Sequence, residues 1–166
     1  MVTTDDIKRL REATGAGVMD SKRALEEAAG DFEKARELIR EHGIAAAAKR
    51  VDRATSEGLV ESYIHGAGRI GALVEIQCET DFVARTETFK DLARDVAMHV
   101  AAMNPLALTA EDVPADAPGK PEDQALLTQS FIKDSSQSIS DLVQAAIAQT
   151  GENIRISRFA RFELGS

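Results

Sequence analysis

Apolar residues recur at two spacings along this chain, and the changes of spacing mark off its elements. Up to Ile39 they return every three or four residues, the period of an amphipathic helix. Ile7, Leu10 and Ala13 follow a start made by Thr3 or Thr4 with Asp5 and Asp6, which predicts a first short helix before Gly15. Gly15-Ala16-Gly17-Val18 is too small and glycine-rich to continue it. A second helix is predicted from Met19 through Leu25 to Ala28 and Ala29. Gly30-Asp31 breaks the chain again, with Asp31 as N-cap and Phe32, Ala35, Leu38 and Ile39 as the buried stripe of a third helix that Gly43 is expected to end. From Ile44 to Arg53, alanines followed by basic residues favour helix but bury little, so this segment reads as a helical connector.

The period then falls to two. Leu59, Glu61 and Tyr63 alternate with Val60, Ser62 and Ile64; after Gly66-Ala67-Gly68-Arg69, the residues Ile70, Ala72, Val74, Ile76 and Cys78 share one face. That is a hairpin with one apolar side, turned by glycines that reach positive φ without penalty. Phe89, Leu92, Val96 and Val100 restore the helical period to about Met103, giving a helix to cover that side. All four prolines fall between Pro105 and Pro121, an acidic segment with a single lysine that reads as a long surface loop. A second helical region is expected over about 122–149, interrupted at Lys133-Asp134-Ser135-Ser136. A third strand follows Gly151-Glu152, with Ile154, Ile156, Ala160, Phe162 and Leu164 on its apolar face. The fold class is therefore α+β: three N-terminal helices, then a three-stranded antiparallel sheet covered by helices on one face. The expected division is 1–53 for the helical part with its connector and 54–166 for the α+β core.

Length and composition narrow the function. A chain of 166 residues, 43% hydrophobic and 29% charged, has room for one compact domain, or for one domain with a small appendage. The net charge of −8 is unevenly placed: residues 1–50 hold ten basic and ten acidic side chains, residues 51–166 ten and eighteen. An acidic surface repels a phosphate backbone, so a protein partner is expected rather than nucleic acid. Cys78 is the only cysteine, which excludes an intrachain disulfide and fits a reducing cytoplasm. No secretory leader pattern or long apolar run is present, so a soluble cytoplasmic protein with no membrane contact is expected.

The candidate chemistry is sparse. His42, His65 and His99 show no metal-ligand spacing with one another or with Cys78, and Gly66-Ala67-Gly68 lacks the pattern of a phosphate-binding loop. Glu79 and Asp81 close a strand end and are not read as a working carboxylate pair. No catalytic residue, metal or cofactor is expected. What stands out is Thr80-Asp81-Phe82-Val83-Ala84-Arg85, a turn with a large aromatic at its tip between an apolar strand and an amphipathic helix. Phe82 is either a probe for another protein's pocket or a staple packed on its own helix, for example on Phe89.

Three motifs carry a resemblance. Thr80-Asp81-Phe82-Val83-Ala84-Arg85, the run Thr14-Gly15-Ala16-Gly17-Val18-Met19-Asp20-Ser21-Lys22-Arg23-Ala24-Leu25, and Gly151-Glu152-Asn153-Ile154 stand in the order found in bacterial translation elongation factor Ts. The chain resembles the short form of that family, with a single core copy. The resemblance implies that the first three helices form a ubiquitin-associated-like domain and that the factor exchanges guanine nucleotide on elongation factor Tu. It implies that Asp81 and Phe82, framed by Thr80 and Val83, enter the GTPase domain near its magnesium and phosphate site, and that Val18, Met19 and Lys22 dock on the same domain. Taken as residues alone, Val18 and Met19 could equally fill their own bundle, and Lys22 could be a solvated helix charge. Longer family members resemble a doubled core, and the short form resembles members that work as homodimers. Open sheet edges are compatible with such pairing. The competing reading is a helical adaptor with a dimerisation domain and no exchange activity.

Overall fold

The computed structural model describes residues 2–166. Contacts divide it into two units: residues 2–53 with Gln144–Asn153, and Ala54–Val143 with Ile154–Ser166. In the first unit, α1 (Thr4–Thr14), α2 (Val18–Glu27) and α3 (Phe32–Ala48) form a bundle around Leu10, Ala24, Leu25, Ala28 and Ala35. Ile7, Phe32, Leu38 and Ile39 pack around that core. Thr3 caps α1 through a reciprocal pair: its hydroxyl accepts from the Asp6 N–H at 3.2 Å while the Asp6 carboxylate accepts from the Thr3 N–H at 3.0 Å. The Thr3 hydroxyl also donates to the Asp6 carboxylate at 2.7 Å, and this bond, with that from the Thr3 N–H, holds the Asp6 carboxyl below its ordinary range. Gly15, at φ 68°, ends α1 in a left-handed conformation, and Asp31 caps α3 by accepting from the Lys34 N–H.

Gly43 does not end α3, contrary to the expectation from sequence. The helix runs to Ala48 and takes in the first half of what reads as a connector. Gly43 keeps helical backbone there, and a methyl placed on it would meet the Ala148 side chain at 3.5 Å, an ordinary contact. The cost of a mid-helix glycine, about 1 kcal/mol, is thus offset by helical residues on both sides. Asn153 ties the later segment to the end of this region, donating from Nδ2 to the carbonyls of Val51 and Arg53 at 3.2 and 2.8 Å.

The second unit is built on a three-stranded antiparallel sheet in the order β1-β2-β5, from β1 (Glu57–His65), β2 (Ile70–Cys78) and β5 (Ile154–Glu163). Ala72, Val74, Ile76 and Cys78 of β2 are buried on one face. Helix α5 (Glu87–Met103) packs on that face with Phe89, Leu92, Val96 and Val100, the four residues its period predicts. The β1–β2 turn uses positive φ at Gly66, Ala67 and Gly68. Gly58 is required for a different reason: a Cβ there would collide with the Ile76 carbonyl of the neighbouring strand.

Strand β5 does not keep one apolar face. Ile156 pairs with Ile76 and Arg158 with Glu75, so Ser157 is an extra residue opposite a single step of β2. That bulge reverses the alternation. Ile154 and Ile156 are buried with the core, whereas Ala160, Phe162 and Leu164 emerge on the far side.

The region 122–149 is not one interrupted helix. It holds a single turn α6 (Pro121–Gln124), a small antiparallel ladder β3 (Ser130–Phe131) with β4 (Asp134–Ser138), and then α7 (Ile139–Thr150). The ladder is fastened to α5 by His99, which is fully buried: its Nε2 lies 3.0 Å from Oε1 of Gln129 and its Nδ1 accepts from the Ile132 N–H at 3.3 Å. With Nδ1 as acceptor, Nε2 carries the proton and donates to Gln129. Burial disfavours the imidazolium and lowers the His99 pKa, partly countered by the bond to Gln129. Between Pro105 and Pro121 the chain is irregular apart from a β-bridge from Ala107 to Ala125 and one 3-10 turn at Ala110–Asp112.

Candidate partner-binding surfaces

The Phe82 turn begins where β2 ends. Thr80 has extended backbone and its hydroxyl accepts from the Val83 N–H at 3.4 Å, starting the single helical turn α4 (Asp81–Ala84). Two neighbouring residues of that turn have opposite fates. Val83 is buried at 9% exposure, whereas Phe82 is 78% exposed. Phe89, the proposed staple partner, lies fully buried in the sheet–helix core, so Phe82 is not stapled onto it. A phenylalanine this exposed leaves nearly all of its ring in water, an unfavourable placement that a partner's pocket would relieve.

Asp81 is held beside the ring by Arg85, whose guanidinium lies 2.8 Å from its carboxylate one helical turn on. Both groups are substantially exposed, so the pair orients the carboxylate while contributing only tenths of a kcal/mol. The turn therefore presents an aromatic ring with an acidic group next to it. Thr86 was not legible as part of this arrangement. It caps α5 by accepting from the Phe89 N–H at 3.3 Å and donates its own hydroxyl to the Val83 carbonyl at 2.8 Å. The signal available was a threonine three residues before a core phenylalanine.

In the helical unit, α2 starts at Gly17, which offers no side-chain cap. The helix buries Ser21, Ala24 and Leu25 and turns Val18, Met19 and Lys22 outward, with Met19 66% exposed. Val18 and Met19 thus do not fill their own bundle. Lys22 lies 3.8 Å from Glu26 in an exposed pair, which leaves its ammonium accessible. The result is a small apolar stripe with a cation beside it.

The outer face of the sheet was missed, because the Ser157 bulge is invisible in the alternation pattern. Val60 and Ile64 of β1, Leu73 of β2, and Phe162 and Leu164 at the end of β5 are all exposed there, Phe162 at 70%. Ile64, Leu73, Phe162 and Leu164 border a shallow concavity of about 530 Å³. Beside this patch Arg158 donates to Glu75 at 2.8 Å, and that guanidinium holds the Glu75 carboxyl below its ordinary range. Among the described residues there is no group of three or more His, Cys, Asp or Glu placed to hold a metal, and no helix long and apolar enough to cross a membrane.

Comparison with known proteins follows the same residues. The family described as Elongation factor TS matches residues 4–124, which include both the α2 stripe and the Phe82 turn. Elongation factor Ts of Carboxydothermus hydrogenoformans is 49% identical over 195 aligned positions, covering 99% of this chain and 90% of that protein. The Fervidobacterium nodosum factor of that name is 46% identical, with 99% and 98% covered, and that of Rubrobacter xylanophilus 45%, with 96% and 97% covered. All three alignments run over more positions than this chain has residues, so those relatives carry residues that it lacks within the matched span.

Proposed function

The chain belongs to the elongation factor Ts family, and from that premise we propose that it promotes GDP release from elongation factor Tu by pressing the Asp81-Phe82 turn into the region that holds magnesium and the nucleotide phosphates. The observation that carries this reading is the contrast between an exposed Phe82 and a buried Val83 on one short turn. A ring held in water by a rigid support is suited to enter a pocket. The neighbouring carboxylate brings negative charge toward groups that otherwise bind phosphate or magnesium. No covalent chemistry is required.

Exchange of this kind is a linkage effect. A factor that binds the empty GTPase more tightly than the loaded one loosens nucleotide by the same ratio. A thousandfold loosening corresponds to about 4 kcal/mol. Burying one phenylalanine contributes roughly 1.5–3 kcal/mol. Phe82 alone falls short, so a second contact has to hold the GTPase while the turn acts. Val18, Met19 and Lys22 supply that hold in this reading: the helical domain, residues 1–53, grips, and the α+β core, residues 54–166, delivers the wedge. The factor would act in the cytoplasm, where its partner works.

The same reading makes the protein a homodimer. Five exposed apolar side chains on the outer sheet face, four of them bordering a concavity, are an unfavourable surface for an isolated chain, and a second copy of the same sheet would cover them.

Release of a fluorescent GDP analogue from elongation factor Tu tests the exchange reading. The chain is expected to accelerate release, and Phe82→Ala to lower the maximal rate by roughly ten- to hundredfold, the equivalent of the ring's burial. An adaptor without exchange activity would leave the release rate unaltered by either protein.

A further inference from the structure

Four residues cannot sustain a helix by themselves, so the wedge turn owes its shape to what grips its ends. Two carbonyls, one just before it and one near its end, are each held twice. The Thr80 carbonyl accepts from the Ala84 N–H at 3.3 Å and from the Cys78 thiol at 3.2 Å. The Val83 carbonyl accepts from the Thr86 N–H at 3.0 Å and from the Thr86 hydroxyl at 2.8 Å. In each case one bond comes from the local backbone and would exist in any such turn. The other comes from a side chain outside α4: Cys78 is fully buried at the end of β2, and Thr86 is the cap of α5.

Building on the exchange reading above, we infer that Cys78 and Thr86 are positioning residues for exchange, side chains that touch neither partner nor nucleotide but fix the direction in which Phe82 points. Cys78 ties the start of the turn to the sheet, and Thr86 ties its end to the long helix. With Val83 buried between them, the turn cannot rotate without breaking these bonds and withdrawing Val83 from the core. A wedge works only if the force of docking is met by a stiff support; a turn free to swing would let Phe82 lie back on its own surface when the partner approaches. Preorganisation of this kind spares the ordering cost at the moment of binding.

Thr86 allows a clean test because its two bonds separate. Aspartate keeps the acceptor that caps α5 but has no hydrogen for the Val83 carbonyl; serine keeps both; valine keeps the shape and loses both. Release of the fluorescent GDP analogue from elongation factor Tu is measured across factor concentrations for the full chain, with thermal unfolding run in parallel. Thr86→Asp and Thr86→Val are expected to lower the maximal rate about fivefold, the rate equivalent of a hydrogen bond worth about 1 kcal/mol, with the half-saturating concentration of Thr86→Val little changed. Thr86→Ser is expected to restore the rate, and Thr86→Asp to melt within about 2–4 °C of the parent. Cys78→Ala should show the same fall. In a Phe82→Ala background none of these changes should slow release further, because a residue that acts through Phe82 has nothing left to position. Full activity of Thr86→Asp and Thr86→Val, or a loss that adds to that of Phe82→Ala, would overturn the inference. If Phe82→Ala itself exchanges normally, it is the wedge reading that falls.

Discussion

Phe82 and Val83 are adjacent, of similar hydrophobicity, and opposite in exposure, and that difference is what makes this turn a candidate tool rather than a core corner. The aromatic at the tip was legible because threonine and aspartate mark the turn before it; the clamps beneath it were not, because a lone cysteine and a helix-capping threonine look alike in any sequence. Val18 and Met19 make the same point in the helical unit. Their spacing fits a buried stripe as well as an exposed one, and only the packing of Ser21, Ala24 and Leu25 decides which side faces out. If Met19 grips the GTPase while Phe82 distorts it, the two residues should fail differently. Met19→Ala is expected to raise the half-saturating concentration of factor roughly tenfold and leave the maximal release rate near that of the parent. A fall in maximal rate at unchanged half-saturation would place Met19 outside the grip.

Elements were legible where hydrophobic period and burial coincide. Helices α1 and α5 and strand β2 have apolar faces that match the surfaces they bury, so period alone finds them. Three departures share the absence of such a signal. Gly43 sits inside α3 because a glycine with helical φ breaks nothing when its neighbours favour helix. Strand β4 is Asp134-Ser135-Ser136-Gln137-Ser138, with no apolar alternation to read; its place is set by pairing with β3 and by the Ser138 N–H donating to Asp141 of α7. Ser157 shifts the register of β5 by one, which moves Phe162 and Leu164 from the core to the surface.

The β3–β4 ladder brings a pH dependence at the same scale. His99 keeps its ring neutral in the fold, with Nδ1 committed to the Ile132 N–H. Its folded pKa lies below the ordinary 6.5, so between those two values the unfolded chain binds the proton more readily than the fold. This contribution to stability is fully present above about pH 6.5 and declines as pH falls through the folded value. Unfolding midpoints measured from pH 8 to pH 5 should be level at the upper end and drop below about pH 6.5. The His99 ring resonance should titrate below 6.5 in the folded protein. A ring that titrates above that value would contradict the buried, doubly bonded imidazole.

At the scale of the whole molecule, the acidic second half and the outer sheet face bear on assembly. Phe162 is 70% exposed and distant in register from the core residues Ile154 and Ile156 of its own strand, so changing it should spare the fold. Phe162→Asp places a charge at the centre of the proposed self-contact. The parent is expected to run at the mass of a dimer and the variant at that of a monomer, with matching circular dichroism; two monomers, or two dimers, would remove the outer face from the assembly. The family itself was legible from three short motifs, whereas this surface was not, since it depends on one bulged residue that carries no hydrophobic signature.

Preference for an empty GTPase over a loaded one is the claim from which exchange, wedge and grip all follow, and it is measured directly by titrating the chain into elongation factor Tu stripped of nucleotide and into the same protein saturated with GDP and magnesium. The expected result is a dissociation constant about a thousandfold lower for the stripped form, with the ratio narrowed roughly ten- to hundredfold by Phe82→Ala. Equal affinity for the two forms would contradict the account, because a ligand that binds both states alike shifts neither.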